Sequence, residues 1–332
     1  MRQRLGTALI TALGLVALVA CGGGNSPAVD TGASGFPMSV ENCDRQLTFD
    51  APPERILAIG GEAATLLWAA GATDRISTFV RLAGEPLGEA ESDLARRPQI
   101  SISGSGDITR EVIIGERPDL VVTFGLNQTS PDDLAAAGIP TLFVSGYCDG
   151  SGGPQSADTL SPLDGMYADI GLYGQLLGTQ AEAGSAVAGL RERVSAVQAT
   201  VQAQGRSESS AAALFVTDAA SALGGYGNRS TVHQQMELLS LTNIFADVGE
   251  RYFQPTVEEL IDGNPEVLIA LYQASDSSDQ GARDALTARP EIAQIPAIVN
   301  KDVVVLDFFY AGHGILAVDG LETLADQLAA LR

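Results

Sequence analysis

Beyond Arg55 the chain is punctuated by short apolar runs that alternate with stretches of helical periodicity. Arg55 to Gly60 reads as a buried strand; Leu66, Leu67 and Ala70 then fall on one face of a helix over 62–70, and Gly71 supplies its stop. Further strands are expected at 75–80, 99–103, 119–124 and 141–145, with short helices at 111–115 and 132–137 between them. A second series begins with a strand at 212–217 and continues through helices around 232–239 and 257–261, strands at 267–271 and 303–306, and a closing amphipathic helix over 318–331. Strands alternating with helices imply parallel α/β units, so the two series predict two lobes, 41–163 and 206–332.

The stretch between the lobes, 164–205, has no proline, and Val187, Leu190, Val194, Val197 and Val201 recur at intervals of three and four along one helical face. As one helix it would run ~60 Å at ~1.5 Å per residue. That is long enough to cross both lobes, with Gly178-Thr179 as the place for a bend or break.

Two segments align without gaps, Thr109 to Val122 and Thr256 to Ile269. Each reads threonine, one residue, glutamate, six residues, proline, an acid, then an apolar run. A threonine N-cap and a glutamate in the first turn stabilise any helix, the carboxylate by about 0.3–1 kcal/mol through the helix dipole. The same pattern fits two related lobes that each present one carboxylate, Glu111 and Glu258, at equivalent places. Both readings stand on the sequence alone.

The N-terminus has a different character. Arg2 and Arg4 precede an uncharged stretch from Leu5 to Ala20 that ends in small residues, so 1–20 reads as an export signal peptide. The run is shorter than the ~20 apolar residues of a membrane-spanning helix. Cys21, placed after Leu18-Val19-Ala20 and before Gly22-Gly23-Gly24, looks like the cysteine of a bacterial lipobox, whose thiol takes a diacylglycerol. Two acyl chains anchor stably where one does not. The expected product starts at Cys21, held by lipid on the outer face of the cytoplasmic membrane, with 21–40, rich in Gly, Ser, Pro and Asn, as a flexible tether.

Charge narrows the partners. The sequence has 19 basic and 41 acidic residues, a net charge of −22 at pH 7, which excludes nucleic acid, since phosphate binding needs a basic surface. Cys43 and Cys148 are the other cysteines. In an oxidising compartment such an isolated pair reads as a disulfide, with two buried free thiols as the alternative. The two histidines, His233 and His313, are too few for a histidine-built metal site. No metal held directly by the protein, and no cofactor, is expected.

A family resemblance rests on several of these segments together. Pro53 to Ile59, Leu67 to Arg75, Glu111 to Val122, Ala137 to Pro140, Asn243 to Asp247 and Glu258 to Ile269 resemble the ferric siderophore-binding lipoproteins of ABC importers, a group that includes vitamin B12 and haem binders. The resemblance covers nearly everything from Cys43 to the C-terminus. It implies an α/β fold of two Rossmann-like lobes with mainly parallel sheets, joined by one long α-helix. It also implies a monomeric carrier, not an enzyme, that delivers a ferric siderophore to an ABC permease, with iron present only as part of the bound chelate. Haem or cobalamin is the alternative cargo. Asn42 to Arg45 and Tyr147-Cys148 look like the paired cysteines of actinobacterial members. Glu111 and Glu258 align with the carboxylates that dock into arginine pockets of the permease.

Ligands of open α/β sheets bind outside the carboxyl ends of the strands. Here those ends and their loops offer Arg81, Phe124, Tyr147, Tyr226, Arg229, Arg251, Tyr252, Tyr272, Phe309 and Tyr310 as ligand-binding candidates, arginines for charge-assisted bonds and rings for packing. Trp68 lies on an apolar helix face and reads as core. A lipid-anchored hydrolase is the competing class. The serine-rich stretch Ser101 to Gly106 does not form G-x-S-x-G, and Gly224 to Arg229 forms neither a dinucleotide nor a phosphate-loop pattern.

Overall fold

The computed structural model describes residues 35–102, 108–148, 161–205 and 207–331. The expected signal peptide, the lipidation site Cys21 and most of the tether lie outside the described residues, as do Ser103 to Gly106.

The fold begins earlier than the sequence pattern suggests. Met38 to Val40, expected within the tether, already belong to a hairpin of β1 (Met38–Asn42) and β2 (Arg45–Phe49). Val40 and Phe49 face the core, which draws the segment onto the lobe. Its two-residue turn, Cys43 and Asp44, has both φ angles positive, 51° and 56°, as a primed hairpin turn requires. The Asn42 amide then completes the hydrogen bonding of a sheet edge: its Nδ2 donates to the Phe143 carbonyl and its Oδ1 accepts from the Phe143 N–H, both at 2.8 Å. Beside it Cys43 and Cys148 form a disulfide that spans 105 residues.

The first lobe is a sheet of five parallel strands, β3 (Ile56–Ile59), β4 (Ile76–Leu82), β5 (Gln99–Ile102), β6 (Leu120–Thr123) and β7 (Thr141–Phe143), in the order β5-β4-β3-β6-β7. Helices α1 (Gly61–Ala69), α2 (Glu91–Leu94), α3 (Arg110–Glu116) and α4 (Pro131–Ala135) connect them. The sheet's strand order reverses between β3 and β6, and the loops after these strands bring the Phe124 ring against Gly60.

The second lobe repeats the plan. Strands β8 (Ser209–Phe215), β10 (Leu241–Asn243), β11 (Val267–Tyr272) and β12 (Val303–Asp307) run parallel in the order β10-β8-β11-β12, and β9 (Gly224–Gly225) adds an antiparallel edge to β8. Its helices are α7 (Thr231–Leu238), α8 (Val257–Gly263), α9 (Asp279–Thr287), α10 (Pro296–Asn300) and α11 (Leu316–Ala330). Here the order reverses between β8 and β11.

The connecting stretch 164–205 is not one continuous helix. It is α5 (Pro162–Leu177) followed by α6 (Gln180–Ala203). Gly178 adopts the left-handed conformation, φ 77° and ψ 22°, and the Thr179 N–H donates to the Gly174 carbonyl, which stops α5. The chain then folds back, so Arg191 on α6 reaches Asp164 at 3.4 Å and lies 4.3 Å over the Tyr167 ring on α5. The long α6, 24 residues and ~36 Å, is the helix that joins the lobes. Leu190, Val194, Val197 and Val201 bury the face that the spacing marks out. Arg193 fastens α6 to α11 through Asp319 and Glu322. Among the described residues no helix is long and apolar enough to cross a membrane.

The disulfide closes a loop of about a hundred residues, for which the chain-entropy model sets an upper value of ~4.7 kcal/mol and disulfides typically deliver about 2–4 kcal/mol. Replacing both Cys43 and Cys148 with serine is expected to lower the unfolding free energy measured by chemical denaturation by about 2–4 kcal/mol, and an unchanged value would show that the hairpin needs no covalent tie.

Candidate functional site

The carboxyl ends of both sheets face the junction of the lobes, and one acidic side chain occupies the centre of that junction. Glu62, in the first turn of α1, accepts through Oε1 from the Tyr147 hydroxyl at 3.0 Å and from the backbone N–H of His313 at 3.1 Å. Tyr147 follows β7 in the first lobe, whereas His313 follows β12 in the second. A single carboxylate oxygen therefore links the two lobes. Oε2 of the same group is enclosed and has no hydrogen-bond partner.

Close backbone approach makes this junction feasible. A Cβ on Gly312 would overlap Glu62 Oε1, and a Cβ on Gly146 would overlap the His313 ring. That ring is held on its other sides: it meets Tyr147 edge to face at 4.8 Å, and its Nδ1 lies 3.2 Å from Thr231 Oγ1.

Burial sets the protonation of the junction. It pushes the Glu62 carboxyl up from an ordinary 4.5 to about 7 against the opposing pull of the Tyr147 hydrogen bond and Arg251. Burial likewise pushes Glu85 up to about 7, although its Oε1 accepts from Gly61 N–H at 2.7 Å and its Oε2 from Leu82 N–H at 3.1 Å. Asp169 on α5 rises to about 7 for the same reason while accepting from Ser145 N–H at 2.9 Å. Burial depresses His313 to about 3, with Arg251 adding to the effect, so its ring is neutral.

The residues marked in the sequence are brought together only in part. Phe124 lies 6.0 Å from Tyr147, edge to face, and Arg251 sits 5.2 Å over the other aromatic surface of Tyr147. Tyr226 is buried and meets Tyr252 at 5.5 Å, while Tyr252 keeps 42% of its surface exposed, as a ring available for packing must. Arg251 links the two ring pairs, since its charge acts on the Tyr226 hydroxyl as well as on Glu62. Phe309 is buried against Phe308 at 4.2 Å, and Phe308 in turn meets Phe215 at 5.8 Å, so the second lobe's strand ends carry a further aromatic surface. Tyr310 is half-buried, its carbonyl accepting from Gln235 Nε2 at 2.9 Å.

Two assignments are turned inward. All of the Arg81 guanidinium is engaged: Nη1 and Nη2 donate to Glu91 at 3.0 and 2.8 Å, and Nε donates to the Glu85 carbonyl at 2.8 Å. Tyr272 is buried, and its hydroxyl donates to Asp279. Arg229 lines a cavity of about 590 Å³ that borders the junction, bounded by Ser145, Gly146 and Asp169 of the first half and Asn228, His233 and His313 of the second. Trp68 is half-buried on the back of the first lobe, its indole N–H donating to Asp93 at 2.9 Å. Glu62 and Glu85 escaped the sequence reading. Their only signals were position: Glu62 directly follows the Gly60-Gly61 turn that ends β3, and Glu85 lies three residues beyond β4. Among the described residues no group of three or more His, Cys, Asp or Glu side chains is arranged to hold a metal ion.

The two repeated segments are structurally equivalent. Thr109 and Thr256 cap α3 and α8 by accepting from Val112 and Glu259 N–H groups, and both helices end on left-handed residues, Arg117 and Asn264, just before the proline. In α8 the reciprocal capping contact comes from Glu259, which leaves Glu258 to solvent. Glu111 is likewise exposed.

The raised carboxyls dictate a pH response. A carboxyl whose folded value lies above its unfolded value carries no penalty below about pH 4.5; the penalty grows through pH 7 and is constant above it. For one such group it amounts to on the order of 3 kcal/mol. The melting temperature is expected to fall as pH rises from 4.5 to 7, and Glu62→Gln should flatten that profile. Superimposable profiles for variant and parent would mean that Glu62 titrates normally.

The chain matches the model of the periplasmic binding protein family over residues 56–310. Its structure is similar to that of an ABC-type Fe3+-hydroxamate transport system from Saccharomonospora viridis, with a TM-score of 0.75, 32% identity, and coverage of 88% of this chain and 99% of that one. A periplasmic haem-binding protein from Roseiflexus shares the fold at a TM-score of 0.64 and 19% identity, over 84% of this chain and 99% of its own. A cobalamin-binding protein of Halobacterium salinarum is 23% identical over 282 residues, 83% of this chain and 69% of that protein. These are substrate-binding components of transport systems, not enzymes. With two parallel-sheet lobes, a long joining helix and a junction of strand ends between them, the chain belongs to the periplasmic binding protein family.

Proposed function

We propose that this protein is a lipid-anchored, extracytoplasmic binding protein that captures a ferric siderophore between its lobes and delivers it to the permease of an ABC importer. The observation that carries the reading is the aromatic lining contributed by both lobes, Phe124 and Tyr147 from one, Tyr226 and Tyr252 from the other, around a single guanidinium, Arg251. Large, partly apolar chelates need such surfaces, with a few polar groups to fix orientation. The similarity to the Fe3+-hydroxamate transport protein, spread over nearly its whole length, supports the same cargo class. Anchoring rests on Cys21 and its flanking residues. Calorimetric titration of the protein lacking residues 1–21 with Ga(III) siderophores, haem and cobalamin tests the cargo: saturable siderophore binding supports the reading, and binding of haem or cobalamin alone overturns it.

Delivery requires docking, and the exposed first-turn carboxylates Glu111 and Glu258 are suited to it. Charged groups at an interface rim contribute to orientation and encounter more than to affinity. Replacing both with alanine is expected to leave ligand affinity intact and to cost about 1 kcal/mol or less of stability per helix, while uptake through the cognate permease is lost. Normal uptake by the double variant would leave only helix stabilisation as the role of the repeat.

A further inference from the structure

The Tyr147 ring, which meets both lobes at the junction, sits on a lightly tethered piece of chain. Strand β7 is a short edge strand, and beyond it the Val144 N–H makes a last bond to its neighbour, on the Thr123 carbonyl at 2.8 Å. The chain then makes a single 3₁₀ turn, Ser145–Tyr147. Ser145 N–H ties the start of that turn to Asp169 at 2.9 Å, while its end has only the Cys148 N–H on the Ser145 carbonyl at 3.3 Å. Tyr147 donates its hydroxyl to Glu62 and packs its ring against Phe124, His313 and the Arg251 guanidinium. His313 and Arg251 belong to the second lobe, so they hold the ring only while the lobes are in contact.

Within the first lobe the turn is gripped by the β1–β2 hairpin. Consecutive residues at its tip take hold on either side of the turn: the Asn42 amide pairs with the Phe143 backbone through bonds of 2.8 Å, and Cys43 is bonded to Cys148, the residue after Tyr147. The hairpin is a firm base, since Val40 and Phe49 belong to the main core and Arg45 pairs with Asp132 of α4 at 2.7 Å. The sulfurs themselves lie in a small separate cluster with Phe143 and Leu126. Little apolar burial would therefore keep Cys148 in place without the covalent bond.

We propose that the Cys43–Cys148 disulfide is a positioning element of the binding surface: it holds the turn that carries Tyr147 on the first lobe whether or not the second lobe is in contact, and opening it lowers ligand affinity through Tyr147. A ring ordered before the ligand arrives spares the complex the cost of ordering it. The effect on affinity rests on the siderophore reading above; the hold on Tyr147 does not.

The test has a ligand-free arm and a binding arm. Fluorotyrosine incorporated at position 147 reports the ring by fluorine NMR. In the disulfide-bonded protein one resonance is expected, displaced from that of the free amino acid; in Cys43→Ser/Cys148→Ser it should broaden and move toward the free position. If the double variant does not fold, dithiothreitol, which reaches the bond through the cavity that both cysteines line, reduces it to two thiols and leaves as its own cyclic disulfide. A resonance unchanged in the open form overturns the proposal. In calorimetric titrations with Ga(III) siderophores the open form is expected to bind about tenfold more weakly than the parent. In a Tyr147→Ala background, opening the bond should change affinity by less than about twofold, since the two changes act through one side chain. Leu286→Ala, in the second lobe's core, lowers stability without touching the turn and should leave affinity unchanged, which separates positioning from general destabilisation. No loss in the open form, or a tenfold loss that persists without the Tyr147 ring, would overturn the proposal and leave the siderophore reading in place. Failure of the parent to bind any Ga(III) siderophore would remove that reading, and the fluorine spectra alone would then decide the hold on Tyr147.

Discussion

The architecture depends on how two separately wound sheets are held face to face, and that contact passes through Glu62. Helix α6 and the Arg193 pairs fix the backs of the lobes together, but at the front a single carboxylate oxygen accepts one hydrogen bond from each lobe. Its neighbours are arranged to let it in. Gly312 leaves room for Oε1, Gly146 leaves room for the His313 ring, and Tyr147 fills the space between that ring and Phe124. Any side chain at either glycine competes with these contacts. Burying an acid here is costly, which is why its protonation shifts. The contact holds Tyr147 of one lobe against His313 of the other.

Much of the fold was legible because apolar periodicity reports burial directly. The runs at 119–124 and 267–271 became the interior strands β6 and β11, buried over 120–123 and 267–272, and the valine face of 187–201 became the packed face of α6. The elements that escaped are those whose stability is not local. The β1–β2 hairpin holds on through the Asn42 amide and a disulfide to a residue more than a hundred positions away, and β9 is two glycines that pair with β8. The break at Gly178 was visible as a glycine, but the return of α6 along α5 was not, since it depends on contacts such as Arg191 with Tyr167.

The site was legible in composition more than in geometry. The aromatic residues marked after strand ends pair within each lobe, Phe124 with Tyr147 and Tyr226 with Tyr252. In a chain with 41 acidic residues carboxylates are close at hand for arginines, and Arg81 pairs with Glu91 ten residues along the chain. The acids at the junction carried no motif at all, since a glutamate in a helix's first turn is ordinary. What makes Glu62 unusual is its enclosure by the other lobe, a tertiary property.

The central claim, that the lobes meet in a fixed joint before ligand arrives, is tested most directly by the distance between spin labels at positions 50 and 301, one on each lobe, in ligand-free protein. The account predicts one narrow distribution for the parent. For Gly146→Ala it predicts a longer, broader distribution, because the added Cβ meets a His313 ring confined by Tyr147 and Thr231. A broad distribution in the parent, or an unchanged narrow one in Gly146→Ala, would contradict it.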